Sequence, residues 1–100
     1  MQAIVTVAEG SAVIRLLGRF DFNSHGDFRE AIDTALASPA TALAVDFAGV
    51  DYVDSSALGM LLMLRDRAKS AVRDVTLVGC RGAVKQVLDI ANFGKLFSIG

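Results

Sequence analysis

The sequence predicts one α/β domain built on a mixed β-sheet packed by helices, with elements in the order ββαβαβα. Three observations carry that expectation. Runs rich in β-branched and aliphatic residues recur at 3–8, 12–17, 41–47 and 74–78. Apolar stripes of helical period stand between the later runs, so helical crossovers join those strands in parallel, with right-handed connections. The length, 100 residues, fits a single core and leaves no room for a second, so residues 1–100 are expected to form one domain.

From the N-terminus, 3–8 (Ala-Ile-Val-Thr-Val-Ala) and 12–17 (Ala-Val-Ile-Arg-Leu-Leu) flank Glu9-Gly10-Ser11, which reads as a β-hairpin. After Gly18-Arg19-Phe20-Asp21-Phe22, Asn23 or Ser24 can cap a helix whose stripe is Phe28, Ile32, Ala35 and Leu36, and Ser24 with Asp27 resembles a capping box. Ser38-Pro39 ends that helix, because proline constrains the residue before it and has no N–H to continue the ladder. Residues 41–47 are nearly all apolar, as expected for a strand covered on both faces, and a long loop should follow as far as Asp54-Ser55-Ser56. A second helix is expected from about 55 to 71 and a further strand at 74–78. Val84, Val87, Leu88 and Ala91 give a third helical stripe, which Asn92 and Gly94 can end because both tolerate a left-handed backbone. The pattern does not decide whether a last strand forms after Phe97.

Composition excludes several classes of function. With 53% hydrophobic and 21% charged residues, 9 Gly and 1 Pro, the chain is too apolar for disorder and too varied for a repeat array. Ten basic residues against 11 acidic ones give a net charge of -1 with no basic run, so direct nucleic-acid binding is not expected. The longest apolar run, 57–64, falls far short of the roughly 18 residues a membrane helix needs, and the opening Met1-Gln2-Ala3-Ile4-Val5 lacks the basic start of a signal peptide. The single cysteine, Cys80, excludes an internal disulfide and suits a reducing cytoplasm; it reads as a buried strand-end residue. One His and one Cys cannot assemble a zinc site, carboxylate spacing supports no other metal, and no cofactor is expected. A hydrolytic triad would have to recruit His25, which reads as a surface residue in a helix's first turn. There is no Gly-x-Ser-x-Gly elbow, and no acidic pair after the first strand to hold a receiver-type metal, so the chain is not expected to be an enzyme.

The most informative stretch is Val53-Asp54-Ser55-Ser56-Ala57-Leu58-Gly59-Met60-Leu61-Leu62-Met63-Leu64. If Asp54 is the N-cap, Val53 and Leu58 take the two positions of a hydrophobic staple; if Ser55 is the cap, the second position is Gly59 and no staple forms. The staple favours Asp54, whose carboxylate also suits the positive end of the helix dipole. Ser55 is thereby freed from capping. A turn of about 100° per residue places Ala57, Met60, Leu61, Leu64, Ala68 and Ala71 on one arc, the expected core face. The opposite side carries Ser55, Gly59, Leu62, Met63, Asp66 and Ser70. Glycine inside a helix costs about 1 kcal/mol relative to alanine, so Gly59 marks a close approach, either of the chain's own sheet or of another molecule. Leu62 and Met63 belong to the core or to an interface.

Asp54-Ser55-Ser56-Ala57-Leu58-Gly59, placed between a strand ending Asp46-Phe47 and an apolar helix, resembles the signature of bacterial anti-sigma factor antagonists, the STAS-domain family. Gly18-Arg19-Phe20-Asp21 resembles that family's loop after the second strand, Val84-Lys85-Gln86-Val87-Leu88 its third long helix, and Phe93-Gly94-Lys95-Leu96-Phe97 the segment beyond it. Ala57 departs from the pattern, since many members carry glycine there.

The resemblance implies a STAS-like fold and a protein-binding switch with no catalytic activity of its own. In such proteins the first serine after the aspartate, here Ser55, accepts phosphate from a serine kinase that often doubles as the anti-sigma factor, and a PP2C-type phosphatase removes it. The unmodified form binds the anti-sigma factor and frees the sigma factor; phosphorylation abolishes binding. Phosphoserine adds about -1.5 to -2 charge, which a helix N-terminus accepts. A partner would meet that charge beside Asp54, Asp51 and Asp66. The expected partner surface comprises Phe20, Asp21, Phe22, Ser56, Gly59, Leu62, Met63 and Asp66, although Phe20, Asp21 and Phe22 can equally pack locally. A competing implication of the same fold is the small STAS subunit of a lipid-transport ABC system, which binds a transporter ATPase without phosphorylation.

Overall fold

The computed structural model describes residues 1–100. Strand β1 (Gln2–Ala8) and strand β2 (Ser11–Phe20) form the expected hairpin, closed by a two-residue turn in which Gly10 adopts φ +73°, a backbone region that side chains disfavour. Helix α1 (His25–Ala37), strand β3 (Ala42–Val53), helix α2 (Ser55–Ser70), strand β4 (Asp74–Val78), helix α3 (Gly82–Ile90) and strand β5 (Ser98–Ile99) follow. The sheet order is β1-β2-β3-β4-β5, with β1 antiparallel to β2 and every other pair parallel. The terminal strand that the sequence leaves open therefore forms. It is two residues long, and Gly100 extends it by donating to Leu77 O at 2.7 Å.

Because strands advance one place at each crossover, right-handed connections bring the helices to one face of the sheet. That face holds Ala12, Ile14, Leu43, Val45 and Leu77, all buried and adjacent in register. Helix α1 lies against β1 and β2, α2 against α1 and β4, and α3 against β3. On the other face Val13, Ala44 and Thr76 are half-buried and Arg15 is exposed, so β3 is not covered on both sides as its apolar run implies. The apolar character of 41–47 reflects instead its central place in the sheet. No helix is long and apolar enough to cross a membrane.

Three further expectations change. Strand β3 does not end at Phe47; it runs on to Val53, paired with the second half of β2 through Leu17↔Gly49, Gly18↔Val50, Arg19↔Tyr52 and Phe20↔Val53. Register shifts between Arg15 and Leu17 and between Gly18 and Arg19 allow this extension while breaking the alternation that marks a strand. Gly49 gives room at the crossing, since a Cβ there would displace the end of the Leu17 side chain and come to 3.0 Å from Leu16 O. Consequently Gly18-Arg19-Phe20 is strand, not loop.

The capping box joins Asp21 and Ser24, not Ser24 and Asp27. It closes a 3-10 turn over Phe22–Ser24: Asp21 N–H donates to Ser24 Oγ at 3.1 Å, and Asn23 N–H donates to Asp21 Oδ1 at 3.0 Å. Ser24 Oγ in turn donates to Arg19 O, so it caps nothing in α1. Ala71, placed on the core face of α2 by periodicity, is exposed because the helix stops at Ser70. Elsewhere that face is as expected: Ala57, Met60, Leu61, Leu64 and Ala68 are buried. Asn92 ends the α3 segment with φ 59°.

Candidate functional site

The site is built where β2 and β3 run out together and α2 begins. Asp54 is the N-cap of α2, its Oδ1 accepting from Ala57 N–H at 3.0 Å. Its Oδ2 accepts from Phe22 N–H at 3.2 Å, and Asp54 N–H donates to Phe20 O at 3.3 Å. The aspartate thus holds two segments, the helix start and the turn after β2, in fixed relation. Ser55 follows as the first residue of α2 and is exposed; no hydrogen bond within the chain engages its hydroxyl. Ser56 is half-buried.

Around Ser55 the surface is acidic and aromatic. Asp51 is exposed near the end of β3, and Asp21 is half-buried, capping its turn and lying 3.5 Å from Arg19. Phe22 is 73% exposed, a large apolar side chain left in solvent. The residues 47–64, which include all of the α2 start, contain no Lys or Arg.

Phe20 is corrected. It is fully buried, its ring 4.8 Å from Phe28 and 6.2 Å from Phe47, and it belongs to the core that joins β2, α1 and β3. Met63 is half-buried and packs against that core, so it offers an interface only part of its surface. Gly59 and Leu62 are exposed, and Leu62 shows 38% of its surface. A Cβ on Gly59 would meet nothing within 4 Å, so close packing against the chain's own sheet does not account for this glycine. Asp66 is exposed, but eleven residues of helix at about 1.5 Å each set it roughly 16 Å along the axis from Ser55, outside the acidic cluster.

Two residues escape the sequence reading. Tyr52, 41% exposed, lies under the Arg19 guanidinium, whose Cζ is 4.0 Å from the ring centroid. The pair faces solvent one residue before Phe20 and Val53 turn into the core. Its signal is the Arg19↔Tyr52 register, visible only once β3 is known to continue past Phe47.

His25 is exposed as the first residue of α1. No three His, Cys, Asp or Glu side chains are grouped to hold a metal ion. Cys80 is half-buried just past β4, and burial pushes its thiol up to about 11, with Lys85 opposing the rise and Asp46 and Asp89 adding to it.

A family model described as Mlab, STAS domain, matches residues 5–98. The chain belongs to the STAS-domain family. A STAS-domain containing protein of Pseudomonas aeruginosa (strain UCBPP-PA14) is 44% identical over 86 residues, covering 86% of this STAS domain and 84% of the relative. Among solved structures, an anti-sigma factor antagonist from Mycobacterium paratuberculosis superimposes with a TM-score of 0.86 at 19% identity, over 98% of this chain and 83% of that one. The anti-sigma factor antagonist SpoIIAA in its unphosphorylated form gives 0.72 at 20% identity, over 98% and 86%. Its phosphorylated form gives 0.72 at 21%, over 98% and 90%. These likenesses are of fold: a five-stranded mixed sheet with three helices on the same plan.

Proposed function

We propose that this STAS domain is an anti-sigma factor antagonist, a binding module that catalyses no reaction and is switched by phosphorylation of Ser55. Unmodified, it binds an anti-sigma factor that also acts as serine kinase, and so releases a sigma factor; phosphorylated, it does not bind. A PP2C-type phosphatase restores the binding form, and the exchange takes place in the cytoplasm.

One observation supports the reading above all: Asp54 takes the capping role, which leaves the Ser55 hydroxyl exposed and uncommitted at a helix start. The fold accepts a phosphate there because free backbone N–H groups and the helix dipole favour an anion. A partner meets the opposite situation. About two added negative charges beside Asp54 and Asp51 must be desolvated or opposed, and each 1.4 kcal/mol of lost binding is about tenfold in affinity. Exposed Phe22, Tyr52, Gly59 and Leu62, with Asp21 and Ser56 at the rim and part of Met63, supply the apolar contact that the charge would spoil. That SpoIIAA, which shares this fold, occurs in a phosphorylated and an unphosphorylated form supports the same chemistry.

The test is to identify phosphate on the protein from its native cells by mass spectrometry, and to titrate the co-purifying kinase against Ser55→Ala and Ser55→Glu by calorimetry. Ser55→Ala should bind as tightly as the unmodified protein and Ser55→Glu at least tenfold more weakly. Equal affinity for both variants, or stable binding to a transport ATPase with no phosphate on residue 55, would overturn the reading.

A further inference from the structure

We infer that the free edge of β1, together with the groove between it and α1, is a docking site for an extended segment of a partner protein that carries Lys or Arg at alternate positions. The inference uses a different helix and strand from the Ser55 surface and does not depend on the function proposed for it.

The two edges of the sheet are treated oppositely. Strand β5 is two residues long, which is a common way of making an edge unusable. Strand β1 is seven residues long, Gln2-Ala3-Ile4-Val5-Thr6-Val7-Ala8, with no charge and no proline. Its pairing with β2 runs unbroken from Gln2↔Leu17 to Ala8↔Ser11, with no bulge to twist the edge away. None of the usual protections is present, and the outward main-chain groups of β1 form a template for one more strand.

The groove beside this edge supplies the chemistry of the occupant. It measures about 390 Å³, with half-buried Met1, Ala3 and Val5 and the α1 residues Ala31 and Thr34 along it. Its charged wall is Asp27 and Glu30. Neither carboxylate has a cation within ion-pair distance, since the ion pairs of the chain engage Asp21, Asp33 and Asp89. A strand added to β1 points every second side chain, at about 6.6 Å intervals, toward α1. Residues three apart on a helix lie roughly 5–6 Å from each other, so Asp27 and Glu30 can each meet a cation from such a strand.

A second copy of this chain fits less well. Strand β1 has no basic residue to offer, and pairing two β1 strands about a two-fold axis would bring both copies' Asp27 and Glu30 toward the same line. Charge complementarity selects a cationic partner strand instead.

The experiment titrates the full chain with two dye-labelled, end-blocked hexapeptides, one alternating Lys and Val and the other Glu and Val, by fluorescence anisotropy at low salt. The Lys peptide should bind at least tenfold more tightly than the Glu peptide, weaken as salt is raised, and slow amide exchange in β1. Asp27→Asn with Glu30→Gln should remove the preference, and Asp27→Lys with Glu30→Lys should invert it, circular dichroism reporting that both variants keep their helix content. Equal binding of the two peptides, a preference unchanged in the variants, protection that spares β1, or a dimer in sedimentation that pairs through β1 would each overturn the proposal.

Discussion

Phe22 N–H donates to Oδ2 of Asp54 at 3.2 Å across 32 residues of chain, while Oδ1 of the same carboxylate caps α2 through Ala57 N–H at 3.0 Å. The cap is therefore also the clamp that sets the exposed Phe22 beside the helix start. Asp54→Ala removes both acceptors and is expected to cost about 1–2 kcal/mol, the upper part of the range for a lost cap. Asp54→Asn keeps one oxygen acceptor and turns its amide donor toward a second N–H, so it should cost less and should loosen the Phe22 turn. Urea unfolding checks this through the midpoint, with the slope unchanged. An Asn variant as stable as the unsubstituted protein would mean that the clamp contributes nothing.

Neighbouring aromatic residues on either side of Asp21 should behave as different kinds of residue. Phe20 has no exposed surface and packs against the tilted rings of Phe28 and Phe47, so Phe20→Ala is expected to cost about 3–5 kcal/mol through lost burial and the cavity left behind. Phe22 is 73% exposed, and Phe22→Ala should change stability by no more than about 0.5 kcal/mol while weakening the partner complex. Thermal unfolding and partner titration on the same two variants separate the roles. A Phe22→Ala variant with unaltered partner affinity would remove that side chain from the interface.

What could be read in the sequence depended on how local its cause is. The buried arc of α2 repeats every three to four residues and needs no knowledge of neighbours, so Ala57, Met60, Leu61, Leu64 and Ala68 are placed correctly by periodicity alone. The choice of Asp54 over Ser55 as cap follows from two flanking apolar residues and is equally local. The second half of β3 is not local. It exists because β3 bulges twice to stay paired with β2, and Ala48-Gly49 erases the alternation at the point where the register slips. Everything that depends on that pairing was hidden with it: the Arg19 stack on Tyr52, and the turn of Phe20 into the core against Phe28 and Phe47.

Gly59 gives a variant in which stability and function should move in opposite directions. It lies inside α2, is exposed, and has open space where a Cβ would project. Gly59→Ala should therefore stabilise the fold by about 0.5–1 kcal/mol, the helix preference of alanine over glycine. That gain corresponds to a rise of several degrees in the thermal midpoint of a domain this size. If a partner approaches the backbone closely at this turn, the added methyl group should weaken its binding. A rise in midpoint with unchanged affinity would show that nothing packs on the helix at residue 59.

Cys80 sets an alkaline boundary on stability. Burial is the main reason its thiol is raised from 9.0 to about 11, with Lys85 pulling the other way. The folded chain thus holds this proton more tightly than the unfolded chain does. Below pH 9 both states are protonated and the thiol contributes no pH dependence; between 9 and 11 the unfolded state loses the proton first, and stability falls as pH rises. Cys80→Ser or Cys80→Ala should flatten the fall over that window in urea unfolding series. At neutral pH the same protonation should make the thiol slow to react with a disulfide reagent, the rate climbing until the pH approaches 11. Rapid labelling of the folded protein at pH 7 would mean that the thiolate is stabilised where the packing says it is not.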